Sequence, residues 1–245
     1  MGYKISVITV CYNSEKDIEK TIGSVLSQSY PNIEYIIIDG KSTDHTLDII
    51  DKYRTRIAKI ISEKDAGIYD AMNKGVKSST GEILYFLNSD DSFYDNNVIQ
   101  NVADKFNQDK QIDIVRGKVQ FANIPEDDQV IFNDHQFAEL KTRKDLFTKL
   151  YFCHQAIFAK RKLFDAIGLF NTKYKLVADL DWFLRCCRAQ VRMEYLDRFI
   201  ALYNVQGLGY QKQREAIKER IFMIFKNSSR FEFFSITCHI GRWPS

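Results

Sequence analysis

The chain has 245 residues, an ordinary share of apolar (45%) and charged (27%) side chains, and a formal net charge of +3. That length is enough for one α/β domain with a well-buried core, and the composition excludes collagen-like, low-complexity and disordered classes. No apolar run approaches the roughly 18 residues of a bilayer span, and no charged-then-apolar leader precedes the first apolar run, so neither a span nor a secretory leader is expected.

Residues 4–11 (KISVITVC) are β-branched and stop at Asn13, which predicts a strand. Residues 17–27 carry Ile18, Ile22, Val25 and Leu26 at helical spacing. The run 35–38 (YIII) predicts a strand buried on both faces. A helix over 44–53, a strand over 58–61, a helix over 68–76 and a strand over 83–87 follow. Such alternation implies right-handed crossovers and a mostly parallel sheet. In the second half, 112–115, 118–121 and 130–132 read as strands, with a turn at Asp127 and Asp128 and a mixed stretch over 137–150. Residues 154–158 read as a strand, 161–167 and 179–189 as helices, and 193–196 and 200–205 as late strands. The five cysteines show neither metal spacing nor a disulfide framework, and reduced thiols in a cytoplasmic protein are expected.

Ligands of open α/β sheets bind beyond the carboxyl ends of the strands. Polar clusters fall at four such ends: Tyr12-Asn13-Ser14, Asp39 to Asp44, Ser62 to Asp65, and Asn88-Ser89-Asp90-Asp91. The first strand is followed by neither G-x-G-x-x-G nor a Walker loop, which argues against a dinucleotide oxidoreductase or a P-loop NTPase. Asp90 and Asp91 suit a hard cation such as Mn²⁺ or Mg²⁺, which takes one or two carboxylates and completes its shell with phosphates. A helix-capping Asx turn fits the same residues. Asp39 fits a ribose contact or a turn, and Asp65 a helix cap or a ligand contact.

Taken together, the motifs around Val7–Asn13, Gln28–Thr46, Ser62–Gly75 and Leu87–Asp91 resemble, in order and spacing, the family 2 glycosyltransferases. The likeness covers about residues 4–205 and points towards bacterial enzymes of O-antigen, capsule and exopolysaccharide synthesis. It implies a GT-A fold, a Rossmann-like mostly parallel sheet flanked by helices, and an inverting, metal-dependent transfer from a nucleotide-sugar, a UDP-sugar, to a glycan hydroxyl. The acceptor it suggests is lipid-linked. By the same resemblance Thr9, Tyr12, Asp39, Asp65, Asn73, Asn88, Ser89 and Asp90 fall on the donor side, with Asp90 and Asp91 on the metal. Asn88 stands where the family's DXD motif begins with Asp. Asp179 falls on the family's catalytic base, preceded by Ala178 where relatives carry Glu. A positioned carboxylate there takes the proton of the attacking hydroxyl, and Asp181 competes for the role. His154, Asp181 and Trp182 are assigned to the acceptor side, and His154 fits a third metal ligand as well. The other reading of the two departures, Asn88 and Ala178, is a nucleotide-sugar-binding protein without turnover.

The catalytic domain is expected over 1–206, with a donor half to about 110 and an acceptor half over 111–206. A basic amphipathic helical segment follows over 207–245. From Tyr210 to Ser245 there are seven Lys or Arg against three Glu, so the excess charge sits in this tail. Ile217, Ile221, Ile224 and Phe225 form one helical face, largely opposite Arg214, Lys218, Glu219 and Arg220. Aromatic residues Phe231, Phe233, Phe234 and Trp243 follow. Such a segment suits the inner face of the cytoplasmic membrane, packing on the catalytic domain, or a homo-oligomer contact. No nucleic-acid partner is expected.

Overall fold

The computed structural model describes residues 2–122, 153–204 and 212–226. The first half runs β1 (Ile5–Cys11), α1 (Ile18–Leu26), β2 (Ile33–Asp39), α2 (Thr46–Asp51), a 3-10 turn (Arg54–Arg56), β3 (Lys59–Ser62), α3 (Ile68–Ser78) and β4 (Ile83–Phe86). The second runs β5 (Ser92–Phe93), α4 (Val98–Gln108), β6 (Ile114–Ala122), a 3-10 turn (His154–Ala156), β7 (Ile157–Lys160), α5 (Lys162–Ile167), α6 (Ala178–Arg188), β8 (Met193–Asn204) and α7 (Gln213–Lys226). Among the described residues these strands make one sheet in the order β3-β2-β1-β4-β7-β6-β8-β5. β3, β2, β1 and β4 are parallel. β7 runs antiparallel to both β4 and β6, β8 is parallel to β6, and β5 caps the edge antiparallel to β8.

Strand pleating sorts the core. In β1, Ile5, Val7 and Cys11 enter one apolar cluster, shared with Ile22, Val25, Val102 and Phe106 from α1 and α4. Ile8 and Val10 enter the other, shared with Met72 and Val76 of α3 and with Trp182 and Phe183 of α6. β2 alternates in the same way, Tyr35 and Ile37 against Ile36 and Ile38. β1 is buried along its whole length, as a central parallel strand must be.

Several second-half expectations change. The two strands expected at 112–115 and 118–121 are one strand, β6, whose register with β8 shifts around Gly117. The late strands expected at 193–196 and 200–205 are likewise one, β8. His154 to Ala156 form a 3-10 turn, and the strand begins only at Ile157. α4 lies where no element is expected, although Val98, Ile99, Val102, Ala103 and Phe106 repeat at helical spacing and are buried. The strand expected at 130–132, the turn expected at Asp127 and Asp128, the mixed stretch 137–150 and the aromatic residues after 226 lie outside the described residues.

The tail helix docks by one face. Met223 is buried in the α3/α6 cluster and Ala216 packs beside it. The Glu219 carboxylate accepts hydrogen bonds from the backbone N–H groups of Lys175 (2.7 Å), Leu176 (2.7 Å) and Val177 (3.2 Å), the segment that enters α6. These orphan donors ahead of a helix select a carboxylate. Ile217, Ile221 and Phe222 are left 52%, 40% and 59% exposed.

At the amino end of the sheet, Glu34 collects hydrogen bonds from Ser6 Oγ (2.5 Å), Thr80 N–H (2.6 Å), Thr80 Oγ1 (2.6 Å) and Lys4 Nζ (3.0 Å). Burial acts against its charge, but these bonds outweigh it and bring the pKa from 4.5 down to about 2. A depressed carboxylate stabilises the fold above its unfolded pKa and loses that contribution as pH falls through the folded value. Glu34→Gln is therefore expected to cost about 2 kcal/mol at neutral pH. In urea unfolding the difference from wild type stays constant above pH 4.5 and shrinks towards pH 2.

Candidate active site

The strand order reverses between β1 and β4, so the crevice of this sheet opens beyond their carboxyl ends. The loop after β1 and the loop after β4 meet there through a hydrogen bond between Ser14 Oγ and Ser89 Oγ (2.8 Å). Thr21 of α1 anchors the second loop from below, its hydroxyl lying 2.8 Å from the Ser89 carbonyl and 2.6 Å from that of Asp91.

On the β1/β2/β3 side, Tyr12 is 61% exposed. Gly40 forms the floor beside it. A Cβ on Gly40 would stand 2.5 Å from Asp65 Oδ2 and 3.3 Å from the Tyr12 ring, so a side chain there would push the Asp65 carboxylate aside. Asp65 Oδ1 accepts the Gly67 N–H (2.9 Å), and Gly67, at φ 124, opens α3.

Three residues expected on the donor side are placed otherwise. Thr9 is fully buried, because its odd position in β1 turns it into the α1/α4 core, where it accepts the Tyr35 hydroxyl (3.2 Å). Asn73 is buried in α3, and its amide makes both hydrogen bonds to the Phe170 backbone (2.9 and 3.0 Å), so it holds a turn together. Asp39 is enclosed by the turn that follows it. Its carboxylate accepts Lys41 N–H (3.1 Å), Ser42 N–H (3.0 Å), Ser42 Oγ (2.5 Å) and Ser62 Oγ (2.6 Å), which fixes Lys41 at φ 68.

The two adjacent aspartates separate. Asp91 is 1% exposed. Its Oδ2 accepts the Gln155 side-chain amide (2.6 Å) and its Oδ1 the Asn204 N–H (2.9 Å). This corrects the expectation of a metal ligand: an enclosed carboxylate tied on both oxygens joins the end of β4 to β7 and β8. Burial, then the neighbouring charge of Asp90, pushes its pKa well up. Asp90 is half-buried, and among the described residues no other side chain hydrogen-bonds its carboxylate. Burial raises its pKa, reinforced by Asp17 and opposed by His154. Two positions back, Asn88 Oδ1 is buried without a partner. Asp90 and Asn88 thus offer unmatched hard oxygens, a donor set that fits Mg²⁺ or Mn²⁺ completed by phosphate oxygens. Among the described residues no three His, Cys, Asp or Glu side chains form a metal cage by themselves.

Because β7 runs antiparallel to β4, its first residues lie at the same rim. His154 Nδ1 sits 2.9 Å from Asp179 Oδ2. Asp179, in the first turn of α6, accepts the Tyr69 hydroxyl (2.8 Å) and the Leu180 N–H (2.8 Å) on Oδ1. Burial, then the Asp179 charge, pushes the Tyr69 pKa well up, so this hydroxyl stays a donor. His154 Nε2 is buried without a partner. His154 and Asp179 border a small apolar pocket lined by Leu84, Phe86, Phe164, Phe170 and Trp182.

The other two residues expected on the acceptor side have protein partners. Asp181 is buried and accepts Arg185 Nε (3.0 Å), while that guanidinium donates to the carbonyls of Ile167 and Leu169 (2.7 Å each). Trp182 stacks on Phe164 at 4.3 Å and donates Nε1–H to the Gly168 carbonyl (3.0 Å). Helical periodicity decides this: in α6, Asp179 falls on the rim while Asp181 and Trp182 turn inward. The contributions of Ser14, Gly40, Tyr69 and Gln155 are not anticipated from the sequence. Tyr69 and Gln155 adjoin expected motifs, but nothing in spacing shows that they reach Asp179 and Asp91.

The Glycosyl transferase family 2 model matches residues 6–168. A PGL/p-HBAD biosynthesis glycosyltransferase of Mycobacterium bovis (strain BCG / Pasteur 1173P2) is 30% identical over 244 residues, covering 98% of this chain and 90% of the relative. The crystal structure of S. aureus TarS 1-349 superposes with a TM-score of 0.68 at 21% identity, over 94% of this chain and 74% of that one. The mannosyltransferase PcManGT from Pyrobaculum calidifontis, in complex with GDP-Man and Mn²⁺, superposes with a TM-score of 0.69 at 19% identity, over 95% of this chain and 66% of that one. At such identities these two structures bear on the fold alone, a GT-A-like α/β sheet.

The unequal placement of the two aspartates makes a measurable difference. Asp91→Ala leaves two buried donors unmatched and is expected to cost about 3 kcal/mol in chemical unfolding. Asp90→Ala removes a desolvated, unpartnered charge and is expected to leave stability unchanged or slightly raised in the same assay.

Proposed function

The chain belongs to glycosyl transferase family 2, and from that premise we propose that this glycosyltransferase moves a sugar from a UDP-sugar, with inversion, to a hydroxyl of a lipid-linked glycan in cell-surface polymer synthesis. The observation that carries the reading is the pair of buried, unpartnered atoms Asn88 Oδ1 and His154 Nε2, with the half-buried Asp90 carboxylate beside them. Buried polar groups are otherwise almost always paired, so atoms left open at a strand-end crevice mark a ligand. The substrate classes are supported by similar proteins: TarS 1-349 has been crystallised with UDP-GlcNAc, and the mycobacterial relative is named a PGL/p-HBAD biosynthesis glycosyltransferase.

In this reading the uridine end lies over Tyr12 and Gly40, with Asp65 Oδ2 free to accept a ribose hydroxyl. Ser14 and Ser89 hold the two loops at a fixed separation, and Asp39 shapes the turn beneath the nucleoside. Asp90 and Asn88 would hold Mn²⁺ or Mg²⁺. When bound, the cation offsets charge on the departing diphosphate. The Asp179–His154 pair lies at the rim where an acceptor hydroxyl must be deprotonated, and it supplies the base. Thr9, Asn73, Asp91, Asp181 and Trp182 serve the scaffold.

The tail helix has a place in the same reading. Ile217, Ile221 and Phe222 are exposed, with Arg214, Lys218 and Lys226 exposed on the same helix. Apolar side chains flanked by basic ones favour an anionic lipid surface, which would bring the enzyme to the cytoplasmic face where a lipid-linked acceptor resides. No helix among the described residues is long and apolar enough to cross a membrane.

A thermal-shift panel of nucleotide sugars, with and without Mn²⁺, tests the donor side. The matching UDP-sugar with Mn²⁺ at about 100 times its Kd adds roughly 2.7 kcal/mol of stability. Asp90→Ala is expected to lose the Mn²⁺-dependent part. Asp179→Asn keeps the donor shift but loses transfer by about a hundredfold or more; normal transfer in that variant would refute the base assignment. For the tail, joint replacement of Ile217, Ile221 and Phe222 by Ser is expected to abolish flotation with anionic liposomes at unchanged Tm. Unchanged flotation, or a shift only in sedimentation, would favour a protein contact.

A further inference from the structure

The helix that bears Asp179 has no cap of its own at its start. α6 begins after Val177, an apolar residue at the position where a helix ordinarily takes Ser, Thr, Asp or Asn, and no side-chain hydrogen bond is made from it. The first N–H groups of a helix have no partner within it. Asp179 serves one of them, accepting the Leu180 N–H (2.8 Å). The segment leading in, from Gly168 to Val177, forms neither helix nor strand. Asn73 holds its first part through the Phe170 backbone. Its last three residues are held by Glu219 of α7, 44 residues beyond Lys175 in sequence. Oε1 accepts the Lys175 N–H, and Oε2 accepts those of Leu176 and Val177. A carboxylate at this end is also favoured by the helix dipole. Met223 anchors α7 by a separate apolar contact, so Glu219 is presented by an element that is already docked.

We propose that Glu219 is a positioning residue for the transfer reaction: by capping α6 from outside, it fixes the first turn of that helix and with it the Asp179 carboxylate at the rim of the crevice. Asp179 remains the base. Tyr69 and His154 orient its carboxylate directly, while Glu219 sets the backbone from which it projects. The inference rests on the glycosyltransferase reading above and deepens it, because it makes α7 part of the acceptor half of the site. Without this carboxylate three backbone N–H groups lose their partner. Val177 is buried, so the entry to α6 must shift before its N–H can meet water. A displacement of about 1 Å at a reacting group costs roughly a hundredfold in rate. The donor side of the crevice is built on the loops after β1, β2 and β4, which do not include this segment.

The test uses the full chain with Mn²⁺ and the UDP-sugar that stabilises it most, following UDP release with water as acceptor. Water must lose a proton in the same way, so no glycan is needed. Glu219→Ala is expected to lower kcat by about tenfold to a hundredfold, with the donor KM and the Mn²⁺-dependent thermal shift unchanged. Glu219→Asp keeps the charge but falls one methylene short of the three N–H groups, and serves the same comparison if the alanine variant unfolds. In an Asp179→Asn chain the same Glu219 change is expected to cost less than about twofold, because a residue that acts through the base then has nothing left to position. Glu215→Ala, which removes an exposed carboxylate from the same helix, is expected to leave kcat unchanged. Near-normal kcat in the Glu219 variants would overturn the proposal. An equal loss in the Asp179→Asn chain, or loss of the Mn²⁺-dependent shift, would make Glu219 a support of the whole fold, and a matching loss in Glu215→Ala would make the effect one of helix charge. Each of these overturns it as well. Absence of UDP release and of any donor shift in the wild-type chain would instead refute the glycosyltransferase reading itself, and this inference with it.

Discussion

The buried carboxylate of Asp91 is the joint on which the site depends. It sits in the loop after β4, just before β5, and its oxygens reach Gln155 in the 3-10 turn that leads into β7 and Asn204 at the end of β8. The two halves of the sheet are continuous through strand pairing, but hydrogen bonds along strands do not fix how the loops at their ends stand. One enclosed carboxylate with two donors does. It sets the rim of β4 against that of β7, and so sets Asp90 near His154. In the core nearby, Phe158 and Phe93 stack on Tyr85 at 4.1 and 5.0 Å.

Around that joint the polar residues divide into two kinds. Asp39, Asn73, Asp91 and Asp181 are buried with their hydrogen-bonding capacity used by protein, and they hold turns, strand ends and helix entries. Asn88 Oδ1 and His154 Nε2 are shielded from water but unmatched, and Asp90 beside them is half-buried. The first kind stabilises the fold. The second costs stability and persists because something else completes it, which is the ordinary signature of a functional site. The tail helix belongs to both descriptions: Glu219 and Met223 bind it to the segment entering α6, while its apolar residues Ile217, Ile221 and Phe222 face outward.

Much of the first half was legible in order and type. Parallel strands buried on both faces read as continuous apolar runs, and YIII in β2 is such a run. The second half was harder, because β6 and β8 are long strands with polar and charged interruptions, Arg116 to Lys118 and Asp197 to Arg198. Those residues sit in strands because the ladder between β6 and β8 pairs them across a bulge, a non-local fact. In the tail, periodicity identified a helix and an apolar stripe but left open which face docks. A carboxylate satisfying three backbone donors decided the orientation, and Met223 followed it.

The sequence by itself determined the fold class, the family and the crevice: alternating apolar runs force a parallel sheet, and parallel sheets present their loops at one edge. It also placed Asp90 and Asp179 in their motifs. Only the tertiary structure decided which neighbours of those residues face the crevice. Adjacent residues such as Asp90 and Asp91 share composition, charge and motif, and differ only in direction. Direction is set by the pleat of a strand, the turn of a helix and the partners that long-range packing brings within 3 Å. For that reason His154, one of four histidines in the chain, acquired meaning only when the fold set it against Asp179.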